Sequence, residues 1–359
     1  MRPGSTVLMT ADNQGGVLGY ALDLARALAR RGVRVTVACM GGRLAEAQRR
    51  EAEGVTVLES EHRLEWMDDP WEDVALAAAW LLDLEARLRP AIVHVNGLSH
   101  AALPFRAPAI AVVHSCVLSW WRAVRGEEAP ARYDRYAREA RAGLRAAAAV
   151  VAPTRAMLTD AERRYGPFRR ALVVPNGVEA PPAPTEKEPL IFAAGRLWDE
   201  AKNVAALGRV APRLLWPVVV AGSAATPIPG VCALGVLGRA EVGAWMGRAS
   251  IYALPARYEP FGLSIVEAAL SGCALVLGDI PSLREVWGEG AAIFVDPRSD
   301  AALEGALRAL IEDRDLRASL ARTARARALA YTPERTAAGY LAVYDALTGE
   351  AEAREESCA

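Results

Sequence analysis

The sequence predicts an α/β protein made of two Rossmann-like domains, each built on a parallel sheet, that face each other across a cleft. Short runs rich in Val and Ile alternate with Ala-, Leu- and Arg-rich segments of helical period, which is typical of strand–helix units in parallel sheets. The alternation occurs in two series, separated by a proline- and charge-rich segment at residues 180–189. The length of 359 residues also exceeds that of most single hydrophobic cores.

The first series defines a domain at residues 1–180. Its segments of helical period lie at 17–31, 71–88 and 131–147. Its predicted strands are 5–10, 33–40, 55–60, 91–97, 109–115, 148–154 and 171–177. Ligands of open parallel sheets bind beyond the carboxyl ends of the strands, so functional residues are expected in the loops that follow these runs.

The second series defines a domain at residues 181–332, with predicted strands at 190–196, 217–223, 231–237, 250–256, 273–279 and 291–297. Residues 299–348 predict two or three helices, with Asp313 and Asp315 at a helix boundary. Thr332 is suited to cap the last helix and Pro333 to open it. A third segment, 333–359, holds this helix, expected at 334–348, and an acidic tail that we expect to be flexible.

The composition argues against several classes of protein. The 42 Lys and Arg residues nearly balance the 43 Asp and Glu residues, and the formal charge of −1 gives no sign of nucleic-acid binding. Five scattered cysteines without a CxxC pair, and only four histidines, argue against structural zinc and favour a reducing compartment. No apolar run approaches the length of a signal sequence or a membrane span. We therefore expect a soluble, cytoplasmic protein.

Two carboxylates in the stretch RYEPFGLSIVEA, residues 257–268, indicate a binding site. The spacing of Glu259 and Glu267 fits neither a helix face nor a strand face, so the stretch predicts a loop followed by a helix that begins near Ser264. A capping box between Ser264 and Glu267 and a role in ligand binding are equally good explanations of Glu267. Glu259 lies in the loop beside Gly262, where the backbone can approach a ligand.

The backbone N–H groups of Phe261, Gly262 and Leu263 would precede the predicted helix and form a natural anion site. Acids for hydroxyl groups and amides for a phosphate together suit a sugar joined to a diphosphate.

The E-x7-E spacing within EPFGLSIVEA, followed by A-x-x-G at 269–272, resembles the donor-site signature of retaining glycosyltransferases of the GT-B fold, family 4 (glycosyl transferases group 1). Other fragments resemble the same family in the same order, namely NQGGVLGYALDLARAL, the histidine of AVVHS, VPNGVE and GRLWDEAKN. Each fragment alone is weak, but their order and spacing make the resemblance specific. It implies that the last helix crosses back to the first domain. The chain departs from the family at 272–275 and 281–283, around the expected donor phosphates.

The resemblance implies roles for residues of both domains. Glu259 would bind hydroxyl groups of the donor sugar and Glu267 the ribose, whereas Arg196 and Lys202 would clamp the diphosphate. His114 would lie near the reacting face of the sugar. The implied catalytic residues are Glu259, His114, Arg196 and Lys202, and the implied donor-binding residues are Gly15, Gly16, Arg196, Lys202, Glu259, Phe261, Gly262, Leu263 and Glu267.

Ordinary structural roles also fit some of these residues. Gly15 and Gly16 fit a tight turn between strand and helix, His114 fits a satisfied core histidine, and Lys202 fits a surface lysine. Arg196, directly after a glycine at a strand end, is harder to explain in that way.

The activity implied by the resemblance is transfer of a hexose-type sugar from a nucleoside diphosphate, UDP in our expectation, to an acceptor with retention of configuration. No cofactor and no metal are expected beyond the donor substrate. The sequence has no obvious Ser-His-Asp arrangement or cysteine nucleophile, which gives covalent hydrolase chemistry little support.

The acceptor is expected to contact loops of the first domain at 61–73 and 115–128, which are rich in aromatic and charged residues. Trp120, Trp121 and Arg122 are the candidate acceptor residues, although most tryptophans of these segments also suit simple packing. A small molecule, a glycan or a lipid-linked acceptor fits this pattern. The basic segment 162–170 suits contact with anionic lipid, but a solvated face is the favoured interpretation.

Three alternative functions remain from the sequence. QGGVLG at 14–19 misses the G-x-G-x-x-G of NAD-dependent oxidoreductases by one residue, and no acid ends the second strand, so that alternative ranks last. A sugar-nucleotide epimerase on the same fold is nearer. A nucleotide-sugar binding protein without transfer activity is the third.

Overall fold

The computed structural model describes residues 1, 4–180 and 186–358, with only the backbone described at 351–358. The central part of the predicted linker, residues 181–185, lies outside this range. The chain divides into two compact units. The first contains 1–121, 127–177 and 333–359, and the second contains 122–126 and 178–332.

Within the described residues, the first unit contains a seven-stranded parallel sheet in the order β3-β2-β1-β4-β5-β6-β7. The strands are β1 Thr6–Asp12, β2 Arg34–Met40, β3 Thr56–Glu59, β4 Ile92–Val95, β5 Ala109–Val112, β6 Ala149–Ala152 and β7 Ala171–Val173. The helices that accompany them along the chain are α1 Gly16–Ala29, α2 Glu46–Glu51, α3 Trp71–Leu88, α4 Val117–Arg125, α5 Asp134–Ala146 and α6 Arg155–Tyr165.

The second unit has a six-stranded parallel sheet, among the described residues, in the order β10-β9-β8-β11-β12-β13. Its strands are β8 Glu188–Ala194, β9 Val218–Ala221, β10 Cys232–Ala233, β11 Ala249–Leu254, β12 Ala274–Gly278 and β13 Ile293–Val295. Its helices are α7 Val204–Val210, α8 Arg239–Arg248, α9 Leu263–Leu270, α10 Pro281–Trp287, α11 Asp300–Glu312 and α12 Arg314–Ala328.

Burial explains why the strands are so apolar. All residues of β11 and β12 are buried, because helices cover both faces of the sheet. A strand buried on both faces needs a continuous apolar run rather than an alternating one. Such runs made the predicted strands of both series recognisable, and the structure confirms each of them.

Both sheets reverse their strand order at one point. The chain builds outward from β1 through β2 and β3, and then returns to place β4 on the other side of β1. The second sheet repeats this arrangement, with β8 lying between β9 and β11. At such a reversal the connections on either side depart in opposite directions, and ligands of doubly wound folds bind in the crevice that this leaves.

The last helix, α13, spans Pro333–Cys358 and is longer than the sequence suggested. Pro333 opens it as predicted, but the helical backbone continues through the acidic segment expected to be flexible. The Ala- and Glu-rich composition after Gly349 favours helix and contains no proline to end it. The nearby boundary at Asp313 is confirmed, since its side chain accepts a hydrogen bond from the N–H of Leu316 at 2.8 Å and caps α12.

Helix α13 packs within the first unit. Thr336 donates a hydrogen bond to the carbonyl of Pro175 at 2.9 Å, and Glu334 forms an ion pair with Arg30. Tyr340 and Tyr344 are fully buried. The helix therefore contributes to the core of the first unit as well as to its surface.

Among the described residues, none of the helices combines the length and apolar character needed to cross a bilayer. The basic segment 162–170 lies partly on α6, where Arg163 and Arg164 both pair with Asp160. Arg170 pairs with Glu350, at 2.5 Å. Intramolecular partners thus engage several of the cations that suggested a lipid-binding face.

Two helical glycines provide a test of the packing. An added Cβ at Gly143 in α5 would lie 1.8 Å from the carbonyl oxygen of Leu98, whereas one at Gly305 in α11 would meet no heavy atom within 4 Å. We expect Gly143→Ala to lower the free energy of unfolding by at least about 1–3 kcal/mol, through overpacking. Gly305→Ala is expected to raise it by up to about 1 kcal/mol, because alanine favours helix. Urea unfolding of both variants measures the contrast, and equal effects would contradict this packing.

Candidate functional site

The candidate donor residues of the second unit lie where its strand order reverses. Arg196 and Lys202 follow β8, and Glu259 follows the adjacent strand β11. The carboxyl ends of parallel strands meet at one edge of a sheet, so these loops are neighbours although more than fifty residues separate them. Of the residues proposed from the sequence, the structure brings Lys202 and Glu259 into contact, and Arg196 lies in the same segment after β8 as Lys202.

Lys202 and Glu259 form an ion pair, with Nζ 2.5 Å from Oε2. The side chains are only 16% and 9% exposed. Lys202 ends a short 3₁₀ turn, Glu200–Lys202, and Glu259 lies in the loop before α9. Since removal of one partner from a buried pair is costly, each charge depends on the other in the absence of ligand. The interpretation of Lys202 as an ordinary surface lysine is therefore wrong.

Arg196 is held by Asp199, a residue that sequence reasoning missed. The Arg196 Nη2 lies 3.0 Å from Asp199 Oδ2, and the guanidinium carbon lies 5.4 Å from the centre of the Trp198 ring. Asp199 is 6% exposed, and its other oxygen accepts a hydrogen bond from the N–H of Ala201 at 3.0 Å. Asp199 thus caps the turn that carries Lys202 and also orients Arg196. An acid just before a short turn was the available signal.

Asn203 joins the two loops. Its backbone is left-handed, with φ of +54°, and its side-chain N–H groups donate to the carbonyls of Pro255 at 3.0 Å and Pro297 at 2.7 Å. Asparagine tolerates this conformation better than most residues. Its side chain fixes the position of Lys202 relative to the loop after β11.

Helix α9 begins at Leu263, with Gly262 as N-cap at φ of +89° and no side-chain cap. The positive φ explains the glycine. The capping box between Ser264 and Glu267 is not formed, because Ser264 lies inside the helix and its hydroxyl accepts a hydrogen bond from Tyr252 at 2.9 Å. Phe261 is buried, with its ring edge-on to Tyr331. Its side chain is structural, and the donor role proposed for it concerns the backbone.

Glu267 is 20% exposed and pairs with Arg239, whose Nε lies 3.2 Å from Oε1. Arg239 is the first residue of α8. Sequence reasoning missed Arg239, because an arginine in the first turn of a helix carries no distinctive pattern. Both acids of the E-x7-E spacing thus contact a cation in the ligand-free chain.

In the first unit, Gly15 is the N-cap of α1 and Gly16 its first residue, directly after β1. The φ of Gly15 is −167°, an extended conformation open to any residue. Conformation at Gly15 therefore does not require glycine.

His114 follows β5, and its Nε2 lies 2.9 Å from the side-chain oxygen of Asn96. The edge of the Tyr20 ring packs against the imidazole, with the ring centres 4.5 Å apart. Burial lowers the pKa of His114 to about 3, so the imidazole is neutral at physiological pH. Sequence reasoning missed Asn96, because its contact with His114 joins residues that are eighteen positions apart.

The candidate acceptor residues require a correction. Trp120, Trp121 and Arg122 were placed in a loop-like segment, but they lie on helix α4. The two indoles pack edge to face with centres 5.7 Å apart, and the Trp121 ring also lies under the guanidinium of Arg132. The aromatic and charged residues of this segment suggested a loop, and the nine-residue helix was therefore not predicted. Trp71 likewise begins helix α3.

Comparison with known proteins relates the chain to two family models. Residues 14–180 match the model described as glycosyltransferase family 4, and residues 179–327 match glycosyl transferases group 1. Together they extend over most of the chain, including every candidate site residue.

Curated relatives agree with this assignment. A D-inositol 3-phosphate glycosyltransferase of Xylanimonas cellulosilytica is 28% identical over 95% of this chain and 94% of its own length. A glycogen synthase of Mycobacterium tuberculosis is 38% identical over 26% of this chain, and the match spans only 23% of that enzyme. A phosphatidyl-myo-inositol mannosyltransferase of Propionibacterium freudenreichii is 32% identical over 36% of this chain and 37% of that protein.

Solved structures share the fold. A sucrose-phosphate synthase from Thermosynechococcus elongatus has a TM-score of 0.80 at 15% identity, covering 96% of this chain and 100% of that chain. The Anabaena protein HepE, in complex with UDP and glucose, has a TM-score of 0.76 at 17% identity, with the same coverage.

The buried ion pair leads to a prediction about stability. Lys202→Met leaves the Glu259 charge buried without its partner and should lower the free energy of unfolding by about 3 kcal/mol. In the double variant with Glu259→Gln, much of this loss should be recovered. Urea unfolding of the four proteins gives the coupling energy.

The matched control is the Arg209–Asp300 pair, whose side chains are 52% and 35% exposed. Its coupling should not exceed about 1 kcal/mol. Additive effects at Lys202 and Glu259 would contradict the pairing.

Proposed function

Because this chain belongs to the GT-B glycosyltransferases, with family models matched along residues 14–327, we propose that it transfers a hexose-type sugar from a nucleoside diphosphate donor to an acceptor with retention of configuration. We propose UDP as the nucleotide. The acceptor class is a small molecule, a glycan or a lipid-linked sugar.

The observation that carries this proposal is the Lys202–Glu259 pair at the strand-order reversal of the second sheet, with Arg196 in the same segment after β8 as Lys202. A nucleotide sugar offers a diphosphate for cations and hydroxyl groups for a carboxylate. When the donor binds, Lys202 exchanges Glu259 for a phosphate oxygen, and Glu259 becomes an acceptor for sugar hydroxyls. Neither buried charge then lacks a partner at any stage.

Arg196 provides the second cation for the diphosphate. Its guanidinium is planar and matches phosphate oxygens with two parallel hydrogen bonds. The ion pair with Asp199 holds the side chain of Arg196 before a ligand binds, which reduces the freedom that Arg196 loses on binding. Charge develops on the phosphate as the sugar departs, so two preorganised cations stabilise the transition state more than the ground state.

Glu267 is assigned to the ribose by the same reasoning. Its carboxylate is held by Arg239 at the start of α8, which leaves acceptor capacity for a ribose hydroxyl. The first turn of α9 directly follows Gly262 and the loop that contains Glu259. Its backbone N–H groups are available to bind a phosphate.

Retention and independence of metal remain predictions. Retention rests on the resemblance of the donor-site signature. The described residues contain no group of three His, Cys, Asp or Glu side chains arranged to hold a metal ion. HepE was crystallised with UDP-glucose, which supports the choice of a UDP-sugar as the first donor to test.

A transfer assay tests the proposal. Arg196→Ala is expected to lower kcat/KM about 100-fold, since it removes one of the charges that stabilise the departing phosphate. Glu259→Gln should lower it at least about tenfold, through lost hydrogen bonds to the sugar. UDP release measures the rate, and NMR of the glycosidic product gives its configuration.

Arg209→Ala is the control, because Arg209 lies on α7 and pairs with Asp300 in the same Arg–Asp chemistry as Arg196 with Asp199. Its rate should match that of the original chain. Unchanged rates in both site variants would reject the site, and an inverted product would reject retention. Conversion of the donor without any acceptor would favour an epimerase.

A further inference from the structure

The strand-order reversal of the first unit contains a second polar cluster, centred on Asn96. This residue follows β4, and Thr10 lies on the adjacent strand β1. The N–H of Asn96 donates to Thr10 Oγ1 at 2.8 Å, and the side-chain Nδ2 donates to the Thr10 carbonyl at 2.7 Å. The Thr10 carbonyl can only accept, so the amide must present its NH₂ group to it.

This fixes the other end of the amide. Asn96 Oδ1 lies 3.0 Å from Nε2 of His94 and 2.9 Å from Nε2 of His114. An amide oxygen is an acceptor with two lone pairs, and it satisfies both contacts only if each imidazole carries its hydrogen on Nε2. The lone pair of each ring is then on Nδ1.

His94 uses its lone pair inside the protein. Its Nδ1 lies 2.6 Å from the hydroxyl oxygen of Tyr344, on α13, which donates to it. Burial raises the pKa of Tyr344, so the phenol remains a donor, and burial lowers the pKa of His94 to about 3. The hydrogen-bond chain therefore runs from Tyr344 through His94 to Asn96 with one consistent direction.

His114 differs from His94 in two respects. Its Nδ1 makes no hydrogen bond to the described part of the chain, and the residue is partly exposed. The rings and amide around the two imidazoles belong to Tyr20, Asn96, Tyr340 and Tyr344, which bring no charge to the cluster at neutral pH. His114 follows β5, the strand next to the reversal between β1 and β4, and an imidazole with an unused lone pair there is suited to accept a hydrogen bond from a ligand hydroxyl.

We propose that Asn96 is a positioning residue, which holds His114 in the Nε2–H tautomer so that Nδ1 presents a lone pair to a hydroxyl group of the substrate. The identity of that hydroxyl group as part of a sugar substrate rests on the proposed function, whereas the tautomer does not. Tyr344 and His94 complete the chain that orients Asn96.

NMR of the full chain with ¹⁵N-labelled histidine tests the tautomer directly. The sequence has four histidines, and His114→Gln identifies the signals of His114. Two-bond ¹H–¹⁵N correlations at pH 7, without substrate, should give the pattern of a neutral ring protonated on Nε2. A ring protonated on Nδ1, or a charged ring, would overturn the proposal.

Variants at Asn96 separate positioning from packing. Asn96→Leu removes the acceptor, and the His114 signals should change to include the Nδ1–H form. Asn176→Leu is the control: Asn176 is also buried, at 4% exposure, and it should leave the His114 pattern unchanged. An unaltered pattern in Asn96→Leu would overturn the proposal.

Kinetics extend the test to function. Asn96→Leu should lower kcat/KM for transfer about tenfold, since the imidazole of His114 loses the acceptor that fixes its tautomer. Transfer at the original rate in Asn96→Leu would overturn the positioning role while leaving the proposed function intact. Absence of transfer with every donor would reject the proposed function, and the NMR pattern would still decide the tautomer.

Discussion

The reversal of strand order in each sheet is the constraint on which the candidate site depends. Between β8 and β11 the connections leave in opposite directions, which leaves a crevice at the carboxyl ends of these two strands. The polar loops after them can therefore lie side by side without filling the crevice. Lys202 and Glu259 meet there. In the first sheet the corresponding position holds the hydrogen bonds between Thr10 and Asn96.

Ion pairs stabilise the charged side chains of the second unit in the absence of a ligand. A site for a nucleotide sugar needs cations and carboxylates close together and shielded from water, and each of these is unfavourable alone. The chain resolves this by pairing them: Lys202 with Glu259, and Arg239 with Glu267. Asp199 does the same for Arg196. In the proposed function, a donor that carries both a diphosphate and hydroxyl groups replaces the contact between Lys202 and Glu259, while Asp199 and Arg239 keep their partners.

The sequence was sufficient to predict the strands and the loop of Glu259, because both depend on local patterns. Runs buried on both faces are continuous and apolar, and Pro260 and Gly262 allow no regular structure between β11 and α9. Residues whose importance lies in contacts between distant segments were not predictable in this way. Asn203 reaches Pro297, and Asn96 reaches His114, through pairings that only the sheet topology creates. The tryptophans of α4 were assigned to a loop because the segment is rich in aromatic and charged residues. The helix has only nine residues, which are too few to show a clear helical period.

The most direct test of the account measures which nucleotide the ligand-free chain binds. Thermal unfolding with UDP, GDP, ADP and NAD at equal concentration should reveal selective stabilisation by one nucleoside diphosphate, about 2.7 kcal/mol when it is present at 100 times its Kd. The shift should be lost in Arg196→Ala and retained in Arg209→Ala. Stabilisation by NAD alone, or by no nucleotide at all, would contradict the assignment of this crevice to a nucleotide sugar.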